Sequence, residues 1–349
     1  MFTLPVITGF AIGALFGAVG LLSGFCLMSG LRDWWTLGDR GKIRSYAVAV
    51  AVAVIGTQFI ASAGIVEITK SLYLQPSFSA PLMFVGGMLF GLGMVLSNGC
   101  ASRALVLLGK GNLRSLVVIA IIGVTAQMTL KGLLAPMRLW LLQWTQMTPG
   151  ANSLPSLLSA FGLSDVAARG AATLIVSGAL LAFALSQREF RRKPGQLVAG
   201  VVMGLLVIAG WLATGWLGAD DFDPIPVASL TFVSPAADTL QFIMLSTGMT
   251  LNFGIALVAG VFIGSLLTAM LTGRFAFEGY TSVRQTGRSM GGAALMGVGG
   301  AMAYGCSIGQ GLTGVSTLAL PSFVAAAGIV AGAAIALRGL ALRPAFAAQ

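Results

Sequence analysis

The residues whose type and setting point most directly to chemistry are three cysteines, Cys26, Cys100 and Cys306. The chain has no histidine, which removes the commonest general base and metal ligand. The cysteines are far apart, with no CxxC pair and no zinc spacing, so neither a metal nor any other cofactor is expected. A thiol so placed has two uses. Its weakly donating S–H and polarisable sulfur suit a soft, sulfur-bearing anion better than sulfate or phosphate. As a thiolate it could instead attack a sulfane sulfur and hold it as a persulfide. No histidine or carboxylate stands in the cysteine motifs to act as base, which favours non-covalent contact over an enzyme. Cysteine is also an ordinary small buried hydrophobe. That reading fits Cys26 moderately well and the other two poorly, because of where they lie.

Gly91-Leu-Gly93-Met-Val-Leu-Ser-Asn98-Gly99-Cys100 recurs as Gly297-Val-Gly299-Gly-Ala-Met-Ala-Tyr304-Gly305-Cys306, glycine for glycine, at a constant offset of 206. Each copy has an apolar helix, a glycine-rich turn carrying the thiol and another apolar segment. A weaker echo pairs Gly13-x3-Gly17 with Gly260-x3-Gly264 and sets Cys26 opposite Gly273. Repeats with interrupted hydrophobic segments at matching positions are the usual pointer to a transporter's binding site.

The elements that must position the thiols are membrane spans. Hydrophobic residues make up 57% of the chain and charged residues 9%, against about 25% charged in a soluble domain. The 48 glycines suit close helix packing in lipid. No charge falls between Ser289 and Leu337. As one helix that run would be about 73 Å long, roughly two crossings of a hydrocarbon core about 30 Å thick. It must fold back near Cys306, and broken backbone at membrane depth is tolerated only where protein or a water-filled cavity satisfies it. A cysteine just before a short helix there would see unpaired N–H groups, a ready anion site without a buried cation.

In order, spans are expected near Pro5–Met28, Ser45–Val66, Pro81–Asn98, Leu113–Leu134, Ala167–Ser186, Gln196–Leu217, Asn252–Thr272, Ser289–Tyr304 and Pro321–Leu337. The first apolar stretch lacks a basic n-region and reads as a span, not a leader. Residues 135–166 read as an interfacial excursion with one short helix. The loop with Asp220, Asp221, Asp223 and Asp238 precedes a short apolar piece near Thr239–Thr247. The expected class is an all-α polytopic membrane protein with about nine transmembrane helices, short re-entrant helices and two pseudo-symmetric, inverted Gly-Cys repeat halves. The halves cover about 5–134 and 239–339, joined by 135–238, as one integral membrane domain.

Charge tests that topology. With the N-terminus outside, sixteen of the 20 basic residues fall on the inside, among them Arg103, Lys110, Arg114, Arg188, Arg191, Arg192, Lys193 and Arg343. This is the positive-inside bias, so the net charge of +10 marks topology and anion attraction rather than nucleic-acid binding. It also sets the two Gly-Cys breaks on opposite sides.

Ser97-Asn98-Gly99-Cys100-Ala101-Ser102-Arg103 with Gly109-Lys110-Gly111-Asn112, then Tyr304-Gly305-Cys306-Ser307-Ile308-Gly309-Gln310-Gly311, resemble the YeeE/YedE family of sulfur-transport membrane proteins. Gly24-Phe25-Cys26 matches that family's first cysteine site. The resemblance covers nearly the whole chain. It implies a thiosulfate importer of the bacterial inner membrane, nine spans with short re-entrant helices, and a narrow waist where Cys26, Cys100 and Cys306 meet. It also implies a small cytosolic TusA-like sulfur-carrier partner. Some relatives are tied to selenium metabolism or have unassigned substrates, so the anion stays open.

The expected function is thus uptake of thiosulfate, relayed by three thiols and helix N-termini. The alternatives are a membrane sulfurtransferase holding a cysteine persulfide, and a transporter of another sulfur or selenium compound. Gly24, Asn98, Gly99, Ser102, Tyr304, Gly305, Ser307 and Gln310 flank the thiols and are candidate pore-lining residues. The expected partners are thiosulfate, the lipid bilayer and the sulfur carrier. The N-terminus is expected in the periplasm and the C-terminus in the cytoplasm.

Overall fold

A computed structural model describes residues 3–219, 225–280 and 282–341. The expected loop acids Asp220, Asp221 and Asp223, and the basic Arg343, lie outside the described residues. The first part of the chain runs α1 (Leu4–Ser23), α2 (Leu27–Arg32), a π-helical turn (Asp33–Leu37), α3 (Gly41–Ser62), α4 (Ala80–Leu96), α5 (Ala101–Gly109) and α6 (Leu113–Leu130). Next come α7 (Ala135–Thr145), α8 (Leu154–Ala160), α9 (Asp165–Leu185), α10 (Arg188–Arg191) and α11 (Pro194–Gly215). The last part is α12 (Val233–Met244), α13 (Phe253–Leu271), α14 (Val283–Met302), a π-helical segment (Gly309–Gly314) and α15 (Leu320–Ala341). The architecture is all-α and polytopic.

Among the described residues, eight helical stretches are long and apolar enough to cross a bilayer. They contain α1, α3, α4, α6, α9, α11, α13 and α15. The ninth long helix, α14, covers the expected Ser289–Tyr304 span only to Met302 and starts earlier, at Val283, taking in Arg284 and Arg288. The first expected span is shorter than anticipated, because α1 ends at Ser23 and Met28 already belongs to α2. Residues 135–166 hold two helices rather than one. Pro136 and Pro155 each sit in the first turn of their helix, where proline's fixed φ and missing N–H favour initiation.

Glycines dictate how the long helices pair. A Cβ at Gly13 or Gly17 of α1 would strike the carbonyl oxygens of Leu257 and Val261, and one at Gly260 or Gly264 of α13 those of Phe10 and Ala14. The numbers rise together, so α1 and α13 run parallel. The Gly-x3-Gly echo is therefore the two faces of one contact, not a pair related by inversion. By the same reading α4 lies parallel to α15, with Gly87 and Gly91 facing Ala325 and Ile329. In contrast, Gly86 of α4 meets Gly299 and Met302 of α14 while Gly93 meets Gly292 and Met296. Here the numbers run oppositely. The two helices that carry the Gly-Cys breaks are antiparallel neighbours.

Lipid offers no hydrophobic drive between helices, so such approach through small residues supplies the packing. Gly91→Leu would drive a side chain into the Ile329 carbonyl and Ala333 N–H. It should cost about 1–3 kcal/mol, the usual range for overpacking, read as a lower melting temperature of the detergent-solubilised protein. Gly170→Leu, which meets nothing within 4 Å, should leave that temperature unchanged.

Candidate functional site

Both breaks are built by the same backbone bonds. In the first, Ser97 N–H donates to the Gly93 carbonyl and Gly99 N–H to that of Met94, each at 2.9 Å. In the second, Ala303 N–H donates to Gly299 at 2.9 Å and Gly305 N–H to Gly300 at 2.8 Å. Between each pair stands a left-handed residue, Asn98 at φ 57° and Tyr304 at φ 54°. This is a helix end closed by a left-handed residue, a position usually given to glycine. Asparagine tolerates it, whereas a bulky tyrosine is an outlier. The helical turn then resumes, Ala104 N–H bonding the Cys100 carbonyl at 2.9 Å and Gln310 N–H the Cys306 carbonyl at 2.7 Å.

Each thiol therefore stands at the head of a short helical segment. Cys26 is the N-cap residue of α2 and Cys100 that of α5. Cys306 Sγ accepts the Gly309 N–H at 3.2 Å, ahead of the π-helical segment. All three are buried and free. Cys26 and Cys100 lie side by side. Cys100 Sγ also sits 3.2 Å from Ser102 Oγ. Ser307 Oγ lies beside Cys100, fully buried and without a hydrogen bond of ordinary geometry. The structure thus brings the two repeats together where Cys100 meets the residue after Cys306. Among the described residues no group of three metal-ligating side chains converges.

Of the remaining candidates, Gly24 closes α1 at φ 65°. Gln310 donates Nε2 to the Ala303 carbonyl at 2.7 Å, bracing the end of α14. Two arginines reach the left-handed residues. Arg32 Nη1 donates to Asn98 Oδ1 at 3.3 Å while Asp33 holds its other edge. Arg138 Nη1 donates to Tyr304 Oη at 3.2 Å and its Nε to the Thr129 carbonyl at 3.1 Å. Sequence reasoning placed both among the topology charges. It also missed Tyr46, whose hydroxyl donates to the Ser307 carbonyl at 2.6 Å and stands within electrostatic reach of all three thiols. Its one signal was a lone polar ring heading the Val/Ala-rich face of α3.

The segment after Cys306 is buried from Cys306 to Ala319. Side chains from other helices satisfy it. Gln58 Nε2 donates to the Ser316 carbonyl at 3.0 Å and Thr57 Oγ1 to Ser316 Oγ at 3.1 Å, while the segment's own Thr313 Oγ1 donates out to the Leu230 carbonyl at 2.7 Å. A cavity of about 100 Å³ opens against the first break, lined by Asn98, Gly99, Asn112, Arg114, Gln285 and Ser289. A second, of about 290 Å³, is lined by Gln58, Asn152, Ser153, Arg169 and Thr317 at the far end of that buried segment.

A polytopic helical membrane protein with two antiparallel broken helices and buried polar side chains at the breaks has the make-up of a small-solute transporter. The chain matches the sulphur transport family over residues 22–335 and belongs to it. It is 28% identical over 323 residues to the thiosulfate transporter TsuA of Escherichia coli (strain K12), covering 88% of this chain and 86% of that one. It is 26% identical over 341 residues to the thiosulfate transporter TsuA of Spirochaeta thermophila, covering 93% and 96%.

The left-handed backbone at Asn98 predicts a clear ranking. A left-handed conformation costs an ordinary L-residue about 1–2 kcal/mol. Asn98→Val should lower thermal stability by that order and Asn98→Gly should not, as read by melting of the purified protein.

Proposed function

We propose that this protein imports thiosulfate, with Cys26, Cys100 and Cys306 as successive contacts along one path. The observation that carries the reading is the meeting of the two breaks, where Cys26 and Cys100 lie together and Cys100 faces Ser307 next to Cys306. The relatives' names supply the anion. Thiosulfate has hard sulfonate oxygens at one end and a soft sulfur at the other. A thiol is a weak, polarisable donor to that sulfur. Contacts of that strength pass an ion along rather than trap it, the balance conduction requires.

The dianion must also be desolvated. Among the described residues no lysine or arginine donates a hydrogen bond to a thiol, so backbone N–H groups of the kind that Gly309 turns to Cys306 carry part of the cost. Arg103 carries another part. It sits in the first turn of α5 and within electrostatic reach of Cys26. A cation there opposes the helix dipole by roughly 0.3–1 kcal/mol. Its retention makes sense as a positive field beside the path. The side with the basic loops faces the cytoplasm of a bacterial inner-membrane protein, where a small sulfur carrier collects the product.

The competing chemistry is sulfur transfer, in which a cysteine thiolate attacks the sulfane sulfur, the S–S bond breaks toward sulfite, and a persulfide remains. Vesicles containing only this protein separate the two. Labelled thiosulfate should accumulate intact inside. Persulfidated protein with released sulfite would contradict the import reading.

Cys26→Ser, Cys100→Ser and Cys306→Ser replace a soft donor by a better-hydrated hydroxyl of similar size. Each should lower uptake at least tenfold with unchanged folded yield, whereas a packing role would leave transport intact. Arg103→Gln should slow uptake more at low than at high ionic strength, because screening shortens the reach of a charge that is only half-buried. Equal slowing at both would remove its steering role. On a thiol-free background, Arg191→Cys should be labelled only from the inside and Lys70→Cys only from the outside. The opposite pattern would overturn the orientation.

A further inference from the structure

The relation between α4 and α14 extends to an element that the cysteine pattern does not mark. Inversion that carries α4 onto α14 carries α1 onto α11, α3 onto α13 and α6 onto α15. The contacts agree. The parallel pair α1 and α13 has its counterpart in α11 and α3, where Gly200 faces the Ser45 carbonyl and Gly204 that of Ala49. The parallel pair α4 and α15 has its counterpart in α14 and α6, where Gly297 faces the Ile122 carbonyl. On this mapping the second half begins at α11. The break after α1, which holds Cys26, then corresponds to the break between α11 and α12.

That second break is longer. Beyond α11 the chain turns back beside it, with Thr214 Oγ1 donating to the Ala228 carbonyl at 2.5 Å and Ser229 Oγ to that of Val207 at 2.7 Å. It reaches depth at Leu230, anchored by Thr313, and α12 starts at Val233. Thr231, one residue before the Phe232 N-cap, is the polar side chain nearest the place that Cys26 holds as N-cap of α2. Cys26 lies against Cys100, and Thr231 lies against Cys306. A Cβ on Gly309 would stand 2.6 Å from Thr231 Oγ1 and 3.7 Å from Cys306 Sγ. Phe232 and Ile308 turn their N–H groups toward the same sulfur. Thr231 is half-buried where Cys306 is fully buried, so its hydroxyl stands on the approach. It caps no helix, because the N-cap of α12 is Phe232, without a side-chain bond. The buried, unpartnered Ser307 Oγ lies between the two pairs.

We propose that Thr231 is a fourth contact for the transported anion and sets its orientation at the Cys306 end. This rests on the import reading above. Two thiols, Cys26 and Cys100, offer soft contacts at one end of the waist. Cys306 and Thr231 offer one soft and one hard donor at the other. The hydroxyl and the Phe232 N–H suit sulfonate oxygens, and the thiol suits the terminal sulfur. An ion with both kinds of end is held in one orientation there, whereas an ion with oxygens alone leaves the thiol unmatched.

The test is labelled thiosulfate uptake in vesicles of purified wild-type, T231V and T231S protein, with KM and maximal rate measured separately. Valine keeps the shape and removes the hydroxyl, so T231V should raise KM at least about tenfold, the loss expected for a hydrogen bond to a charged group. T231S restores the donor and should stay within about threefold of wild type. Should T231V not be recovered folded, T231A removes the same hydroxyl with less bulk. An unchanged KM in the valine or alanine variant overturns the proposal, as does equal impairment of the serine variant. No uptake by the wild-type protein in the same vesicles would remove the import reading itself.

Discussion

The constraint on which this structure depends is that every backbone polar group at membrane depth must be satisfied from within the protein. An unsatisfied group in hydrocarbon costs several kcal/mol. Regular helices meet that condition by themselves, but the two Gly-Cys breaks do not. Their solution is a shared helix end, with a left-handed Asn98 or Tyr304 that lets the following N–H turn back on the helix it has left. The longer irregular stretch after Cys306 needs outside help. Tyr46 and Gln58 of α3 donate to its Ser307 and Ser316 carbonyls, and its own Thr313 donates out to the Leu230 carbonyl. The glycine contacts follow from the same demand, since these side chains reach the segment only if the helices approach closely.

Once broken backbone is stabilised at depth, its ends become useful. A charged side chain inside the bilayer is expensive, whereas an N–H group at a helix start offers partial positive charge without a buried ion. The thiols stand beside such groups, and the full charges stay nearer the flanks. Arg32 and Arg138 each bind the side chain of a left-handed residue, one at each break. The inversion thus repeats in its polar contacts as well as in its backbone.

Much of this was legible in the chain. The Gly-Cys repeat showed itself because the break needs the same glycines in both copies, at Gly93 and Gly99 as at Gly299 and Gly305. The uncharged run to Leu337 forced a fold-back near Cys306, and the structure has one there. The Gly-x3-Gly echo misled, because identical spacing serves equally for helices that repeat one another and for helices that pack on one another. Only the direction of contact between Gly13 and Leu257 tells them apart. The start of α14 at Val283 was missed because Arg284 and Arg288 read as loop charges. Tyr46 and Thr231 could not be found from spacing at all. They lie far in sequence from Ser307 and Cys306, in segments with no glycine break of the same pattern, and only tertiary folding brings them together.

The central claim is that the soft end of the anion travels against the thiols. Its most direct test is a crystal structure with selenosulfate, whose terminal selenium marks the soft end by anomalous scattering. The account predicts a selenium peak in van der Waals contact with the sulfur of Cys26, Cys100 or Cys306, with the oxygens turned toward backbone N–H groups. A bound ion with its oxygens on the thiols, or one held only in a cavity away from all three, would contradict it.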